Sequence, residues 1–267
     1  MRYALNASTI RPTPLTRKIE IAARAGYAGI ELWHDEIEAA LAVGSTLSDL
    51  RRQLDESGLR VPTTIYLGGW FEATPATYPA ALEHCRRRME HAATLGAEFI
   101  IASPPPDRAD YRLGASRYAE LLSLGRQIGV RPSMEFLGFV GQLNTIEEAL
   151  SVLDLAGDPQ GTTILDPFHI YRGGGSMDSI LKLRAEQIAV SHFNDTPSTP
   201  SREKQHDRDR VMPGEGHLDL PRYLRGLRQT GYQGWLSLEL FNEVLWQQDP
   251  LEVARTGLDK MKSLAEA

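Results

Sequence analysis

One unit recurs along this chain: an amphipathic helix, a glycine that closes it, and a short apolar segment with the composition of a strand. Leu82, Cys85, Met89 and Ala92 fall three or four residues apart, one stripe of a helix; Gly96 ends it, and residues 97–103 read as a buried strand. The same order runs through Leu47, Leu50 and Leu54 to Gly58, through Leu121, Leu122 and Ile128 to Gly129, and through Leu220, Leu224 and Leu227 to Gly231. Leu15, Ile19 and Ala22 with Gly26 open the series. Helix-start signals agree: Thr145 and Glu148 make a capping box, and Asp249-Pro250 puts a cap before a proline at the first helical position. Strands are expected near 3–8, 28–33, 61–66, 98–103, 130–136, 162–166, 187–193 and 234–240. Eight strand–helix units in 267 residues predict an α/β chain folded as a single (β/α)8 TIM barrel over 1–267. An open doubly wound sheet is the alternative, but no G-x-G-x-x-G follows the first strand and no Walker loop occurs.

Composition sets the outer limits. A 42% apolar, 24% charged chain has enough side chains for a sizeable core, which excludes a disordered chain or a fibre. With 29 Lys plus Arg against 35 Asp plus Glu, the formal net charge of −6 argues against nucleic acid or an anionic membrane as partner. Cys85 is the single cysteine, so no internal disulfide exists, as in a reducing compartment. The run Glu83-His84-Cys85-Arg86-Arg87-Arg88 could activate its thiol, but a structural cysteine on a buried helix face is the simpler reading. No signal segment opens the sequence and no uncharged apolar run approaches the ~20 residues of a membrane helix, so a cytoplasmic protein is expected.

In such a barrel the C-terminal ends of the strands face the mouth of the active site. Four successive strand ends carry groups able to bind metal: Glu135, Asp166, His192 and Glu239, each embedded among apolar residues. Any one of them could be an ordinary ion pair. Three carboxylates converging on one mouth repel, however, and one divalent ion (Mn2+, Zn2+, Co2+ or Mg2+) held by three carboxylates and an imidazole relieves that repulsion.

Groups nearby suggest supporting roles. His169, three residues past Asp166, could hold a substrate hydroxyl, and Asp195, three past His192, could orient an imidazole. Arg210 could reach over the mouth from the long charged loop 195–216, whereas Arg208 reads as a solvated charge. Gly173-Gly174-Gly175-Ser176 is expected to be a flexible turn rather than an anion cradle. Trp33, Trp70, Phe71 and Trp246 fall just after strands, where they could wall a sugar-sized pocket or belong to the core.

The segments Met134-Glu135-Phe136-Leu137-Gly138, Leu165-Asp166-Pro167-Phe168-His169, His192-Phe193-Asn194-Asp195-Thr196, Asp209 to Gly216 and Ser237-Leu238-Glu239-Leu240-Phe241 resemble the xylose-isomerase-like barrels, the sugar isomerase and epimerase superfamily. The likeness runs through the whole chain, and the inosose (2-keto-myo-inositol) isomerases are the branch most similar to it. It implies one divalent metal on Glu135, Asp166, His192 and Glu239, with the two glutamates doubling as acid and base. It also implies that His169 binds substrate and that Arg210 grips substrate oxygens. The expected activity is isomerisation or epimerisation of a non-phosphorylated keto-sugar or keto-inositol through a metal-stabilised enediolate. Relatives of this kind often form dimers or tetramers, so a homo-oligomer is compatible with the chain.

Three other functions fit parts of the pattern. A metal-dependent lyase on the same scaffold, such as an inosose or dehydroshikimate dehydratase or a 3-keto-glycoside eliminase, would expel a β-substituent from the same enolate. An abasic-site endonuclease shares the barrel but resembles a trinuclear site with more histidines, and the acidic balance disfavours DNA. A polyol sensor would keep the pocket without proton carriers.

Overall fold

The computed structural model describes residues 1–266. Eight parallel strands, β1 (Arg2–Asn6), β2 (Gly29–Trp33), β3 (Val61–Leu67), β4 (Ala97–Ala102), β5 (Arg131–Met134), β6 (Thr163–Leu165), β7 (Ile188–Phe193) and β8 (Trp235–Leu238), close into a barrel in sequence order. Closure is made by β1 on β8, with Ala4 opposite Ser237 and Leu5 opposite Leu238. Helices α1 (Leu15–Ala25), α2 (His34–Ala42), α3 (Leu47–Glu56), α4 (Tyr78–Thr94), α5 (Tyr111–Ile128), α6 (Ile146–Ala156), α7 (Pro167–Arg172), α8 (Leu220–Gln229) and α9 (Pro250–Ala265) lie in the connections. This is the (β/α)8 barrel expected from the repeating unit, with β2 followed by two helices rather than one.

The glycines that close the expected helices all sit at positive φ, between +67° and +97° at Gly26, Gly58, Gly96, Gly129 and Gly231. A side chain there would clash with its own backbone, so the glycine stops the helix and turns the chain back toward the sheet. Strands β5 and β8 end earlier than their apolar runs suggest. The ladder stops at Met134 and Leu238, one residue before Glu135 and Glu239, which therefore stand at the rim.

Two apolar layers form. A large one packs the outer strand faces on the helices, and a smaller one, including Ala4, Ile65, Ile101, Ile164 and Trp235, fills the barrel interior. Trp235 closes the N-terminal end, its ring capped by the Arg2 guanidinium at 3.8 Å. A Cβ at Gly29 would come within 2.9 Å of that ring, so only glycine leaves it room. The polar residues are thereby confined to the other end. Cys85 is wholly buried on α4 and burial pushes its thiol up to about 12, which makes it a packing residue. Among the described residues no helix is long and apolar enough to cross a membrane.

Candidate active site

At the C-terminal end of the barrel, Asp166, His192 and Glu239 bring one ligand atom each to within 4.8 Å of one another, all three residues buried. His192 Nδ1 is 3.0 Å from Glu239 Oε2 and 3.6 Å from Asp166 Oδ2, yet it forms no hydrogen bond and no solvent reaches it. An unpartnered buried nitrogen and two carboxylate oxygens aimed at one point are a donor set that could hold a metal ion.

Each member is fixed by local chemistry. Asp166 caps α7: its Oδ1 accepts from the amides of Phe168 (2.8 Å) and His169 (3.3 Å), and Pro167 occupies the first helical turn. The cap locks the carboxylate with Oδ2 turned to the site. Burial alone would raise its pKa, but the Arg210 guanidinium holds it far below the usual carboxylate range. His192 is raised well above an ordinary imidazole: burial works against the charge, and Glu239 and Glu31 outweigh it. Glu31 itself, on β2, is held below its ordinary value despite burial, because His192 and the hydroxyls of Ser237 and Thr63 favour the carboxylate.

Glu135 stands outside the 4.8 Å set. It lies on the wall of the same cavity, its Oε2 accepting from Ser103 Oγ at 3.2 Å. Burial pushes its carboxyl up to about 8, with Glu239 and Asp166 contributing in the same direction.

Arg210 is 1% exposed and lies at the centre of the charge network. Its Nη1 donates to Asp166 Oδ2 (2.9 Å) and Glu239 Oε2 (2.6 Å), and its Nη2 to Asp207 Oδ1 (2.6 Å). His169 Nε2 lies 3.0 Å from Nη2, while the Gly138 amide donates to His169 Nδ1 at 3.2 Å. A neutral imidazole has one acceptor nitrogen. The backbone amide and the guanidinium can both only donate, so the neutral ring accepts from one of them at a time. Burial keeps this ring neutral, pushing it down to about 4.

The cavity has a volume of about 510 Å³. Trp33 meets Phe241 edge-on with ring centres 5.7 Å apart, and Tyr66 and Phe139 stand at the lips, 40% and 37% exposed. Of the four aromatics that could either wall a pocket or belong to the core, Trp33 lines the cavity. Trp70 and Phe71 are buried in the core, and Trp246 lies off the cavity, donating to the Ser8 carbonyl.

The loop 195–216 is packed rather than loose. Gln205, wholly buried, donates to the Pro197 and Pro200 carbonyls, and Arg172 donates to those of Glu203 and Gln205. Asp195 does not orient an imidazole, a correction to the sequence reading. Its carboxylate accepts from the amides of Thr196, Gly214, Gly216 and Leu218, which ties the loop's two ends together and delivers Asp207 and Arg210 to the site. Glu31 is the residue facing the His192 ring, its Oε2 3.4 Å from Nε2. Its signal was present in the sequence: a lone carboxylate inside the apolar strand Gly29–Trp33, the same pattern as Glu135 and Glu239. Arg208 is exposed, and the triple glycine is a turn ending α7.

Residues 19–264 match the family model described as the xylose isomerase-like TIM barrel. The inosose isomerase of Bacillus velezensis is 23% identical over 272 residues, covering 99% of this chain and 97% of its own length. The 3-dehydroshikimate dehydratase of Pseudomonas aeruginosa is 27% identical over 233 residues, covering 86% of this chain but 36% of the larger protein. Among solved structures, IOLI protein with a binding zinc atom superposes with a TM-score of 0.92 at 22% identity, covering 100% of this chain and 98% of that one.

Proposed function

The chain belongs to the xylose isomerase-like TIM-barrel family, and on that premise we propose that it is an isomerase moving the ketone of a neutral keto-inositol or keto-sugar by proton transfer at a divalent metal centre. The observation that carries this reading is the convergence of Asp166, His192 and Glu239 beside a sugar-sized cavity. The inosose isomerase of Bacillus velezensis, similar over nearly the full length of both chains, supports the choice of reaction.

Asp166 Oδ2, His192 Nδ1 and Glu239 Oε2 would hold the cation, with Glu135 as a fourth donor. Zn2+, Mn2+, Co2+ and Mg2+ all suit such a set, and the zinc of the IOLI structure makes Zn2+ the first to test. When bound, a divalent ion supplies Lewis acidity to the ketone and its neighbouring hydroxyl, making the C–H between them acidic enough for a carboxylate. Glu239 is held as an acceptor by Asn6 on Oε1 and Arg210 on Oε2 and takes that proton. Glu135, whose burial favours the protonated acid, returns a proton to the former carbonyl carbon. The hydroxyl proton passes to the former carbonyl oxygen, so ketone and hydroxyl exchange places on the ring. His169 lines the cavity, where its imidazole would meet a substrate oxygen, and Trp33 with Phe241 faces the ring's C–H bonds. The lone buried cysteine suits action in the reducing cytoplasm.

A lyase is the second reading, favoured by the similarity to a dehydroshikimate dehydratase. Its substrate carries a carboxylate. Among the described residues Arg210 is the only Lys or Arg lining the cavity, and its Nη atoms are committed to Asp166, Glu239 and Asp207. Glu72, Glu135, Asp207 and Glu239 line the same space, a poor receptor for an anion.

Turnover of a panel of keto-inositols, ketohexoses and 3-keto-glycosides, followed by NMR and ultraviolet absorbance, tests the proposal. The expected product is a positional isomer without a conjugated enone; growth of enone absorbance supports the lyase. Glu239→Gln is expected to keep the fold and lose about 10²–10⁴-fold in rate, and near-wild-type turnover removes Glu239 from the chemistry.

A further inference from the structure

His192 meets carboxylates at both ring nitrogens. Behind it stands Glu31, wholly buried on β2. Its Oε2 lies 3.4 Å from His192 Nε2 and accepts from Thr63 Oγ1; its Oε1 accepts from Asn6 Nδ2 at 3.2 Å and from Ser237 Oγ. A carboxylate with no access to water is costly unless its oxygens are satisfied, and four donors surround this one. Asn6 Nδ2 also donates to Glu239 Oε1 at 3.0 Å. The amide has no second orientation, because its Oδ1 already accepts from Trp33 Nε1 (2.8 Å) and the Ser8 amide (3.0 Å). Glu31, His192, Glu239 and Asn6 therefore form a closed ring of contacts. Two of its members belong to the candidate metal set and two lie behind it.

Such a ring decides which nitrogen of His192 is free. When the ring gives up one proton to a metal ion, a carboxylate at Nε2 would keep the other there and leave the Nδ1 lone pair to the side of Asp166 and Glu239. Asn6 sets the other half of the geometry, turning Glu239 so that Oε2 faces the same point. Arg210 and the α7 cap engage the carboxylates of Asp166 and Glu239, not Nε2. We propose that Glu31, acting with Asn6, is the positioning pair of this centre, fixing the tautomer of His192 and the orientation of Glu239 for a divalent cation. The inference rests on the metal reading given above and concerns two residues that would not themselves touch the ion.

Co2+ affinity of the metal-free full-length protein, read by competition with a chromophoric chelator, tests this together with the visible spectrum of the bound Co2+. The variants are Glu31→Gln, Glu31→Asp and Asn6→Ala, with metal-free thermal melting as the control for folding. Glu31→Asp keeps the buried charge but draws it away from Nε2, which separates positioning from simple charge. All three are expected to bind Co2+ about 10- to 100-fold more weakly than wild type, with altered spectra. If Glu31→Gln fails to fold, Glu31→Asp and Asn6→Ala carry the test. Folded Glu31 variants that bind within twofold of wild type and give its spectrum overturn the proposal. A wild-type protein that takes up no Co2+ overturns the metal reading instead.

Discussion

Single residues here do two jobs through two atoms. Asp166 spends Oδ1 on the first amides of α7 and presents Oδ2 to the site, so the helix start and the candidate ligand are one feature. This explains why Asp-Pro stands at the end of β6: a cap followed by a proline at the first helical position. Away from the site, His34 is wholly buried against Thr64 Oγ1 at 3.2 Å, and its imidazole is pushed down to about 3 by burial, with Arg88, His91 and His84 adding to the effect. The folded protein refuses a proton that the unfolded chain accepts below about 6.5. The resulting stability is full above that pH and is lost as pH falls toward the folded value. His169 acts in the same sense. Glu135 acts in the opposite sense over the same range, so the expected outcome is a comparison: between pH 7 and pH 4 the melting temperature of His34→Gln, which keeps a partner for Thr64 but does not titrate, falls less than that of wild type. Equal slopes for the two proteins would remove His34 from the effect.

At the scale of elements, the long connection after β7 matters most. Four backbone amides converge on the Asp195 carboxylate. Asp195→Ala is expected to raise hydrogen exchange at Gly214, Gly216 and Leu218 by tenfold or more and to lower kcat/KM, because Arg210 loses its fixed approach. Unchanged exchange would show that the loop is held by Gln205 and Arg172 alone. The barrel's elements were legible in the sequence because each helix stripe, closing glycine and apolar strand is a local signal. Glu135, Asp166, His192 and Glu239 were singled out by the same means, each a polar residue at the end of an apolar run, and the last three lie together. Asp195 was misjudged because its proximity to His192 in sequence says nothing about where a loop returns. The amides that claim it lie some twenty residues on. Glu31 and Asn6 went unnoticed because their partners come from β3, β7 and β8, and only barrel closure brings those strands together.

The whole molecule divides its charge by position. Trp235 and the apolar interior seal one end of the barrel, while Asp166, Glu239, Glu135 and Glu31 gather at the other around His192 and Arg210. Anions concentrated in a water-poor site need cations beside them, and here these are Arg210 and the charged His192 ring. A divalent ion held by Asp166, His192 and Glu239 would take the place of the ring's proton and would supply the acidity that moves the ketone. The direct test strips the protein with a chelator, adds a keto-inositol in D2O, and follows exchange of the proton beside the ketone by NMR while one divalent ion is titrated in. Exchange is expected to be absent from the stripped protein, to return with the ion and to saturate at one equivalent per chain. Exchange that runs equally fast in the stripped protein, or that the ion never restores, contradicts a metal-centred proton transfer.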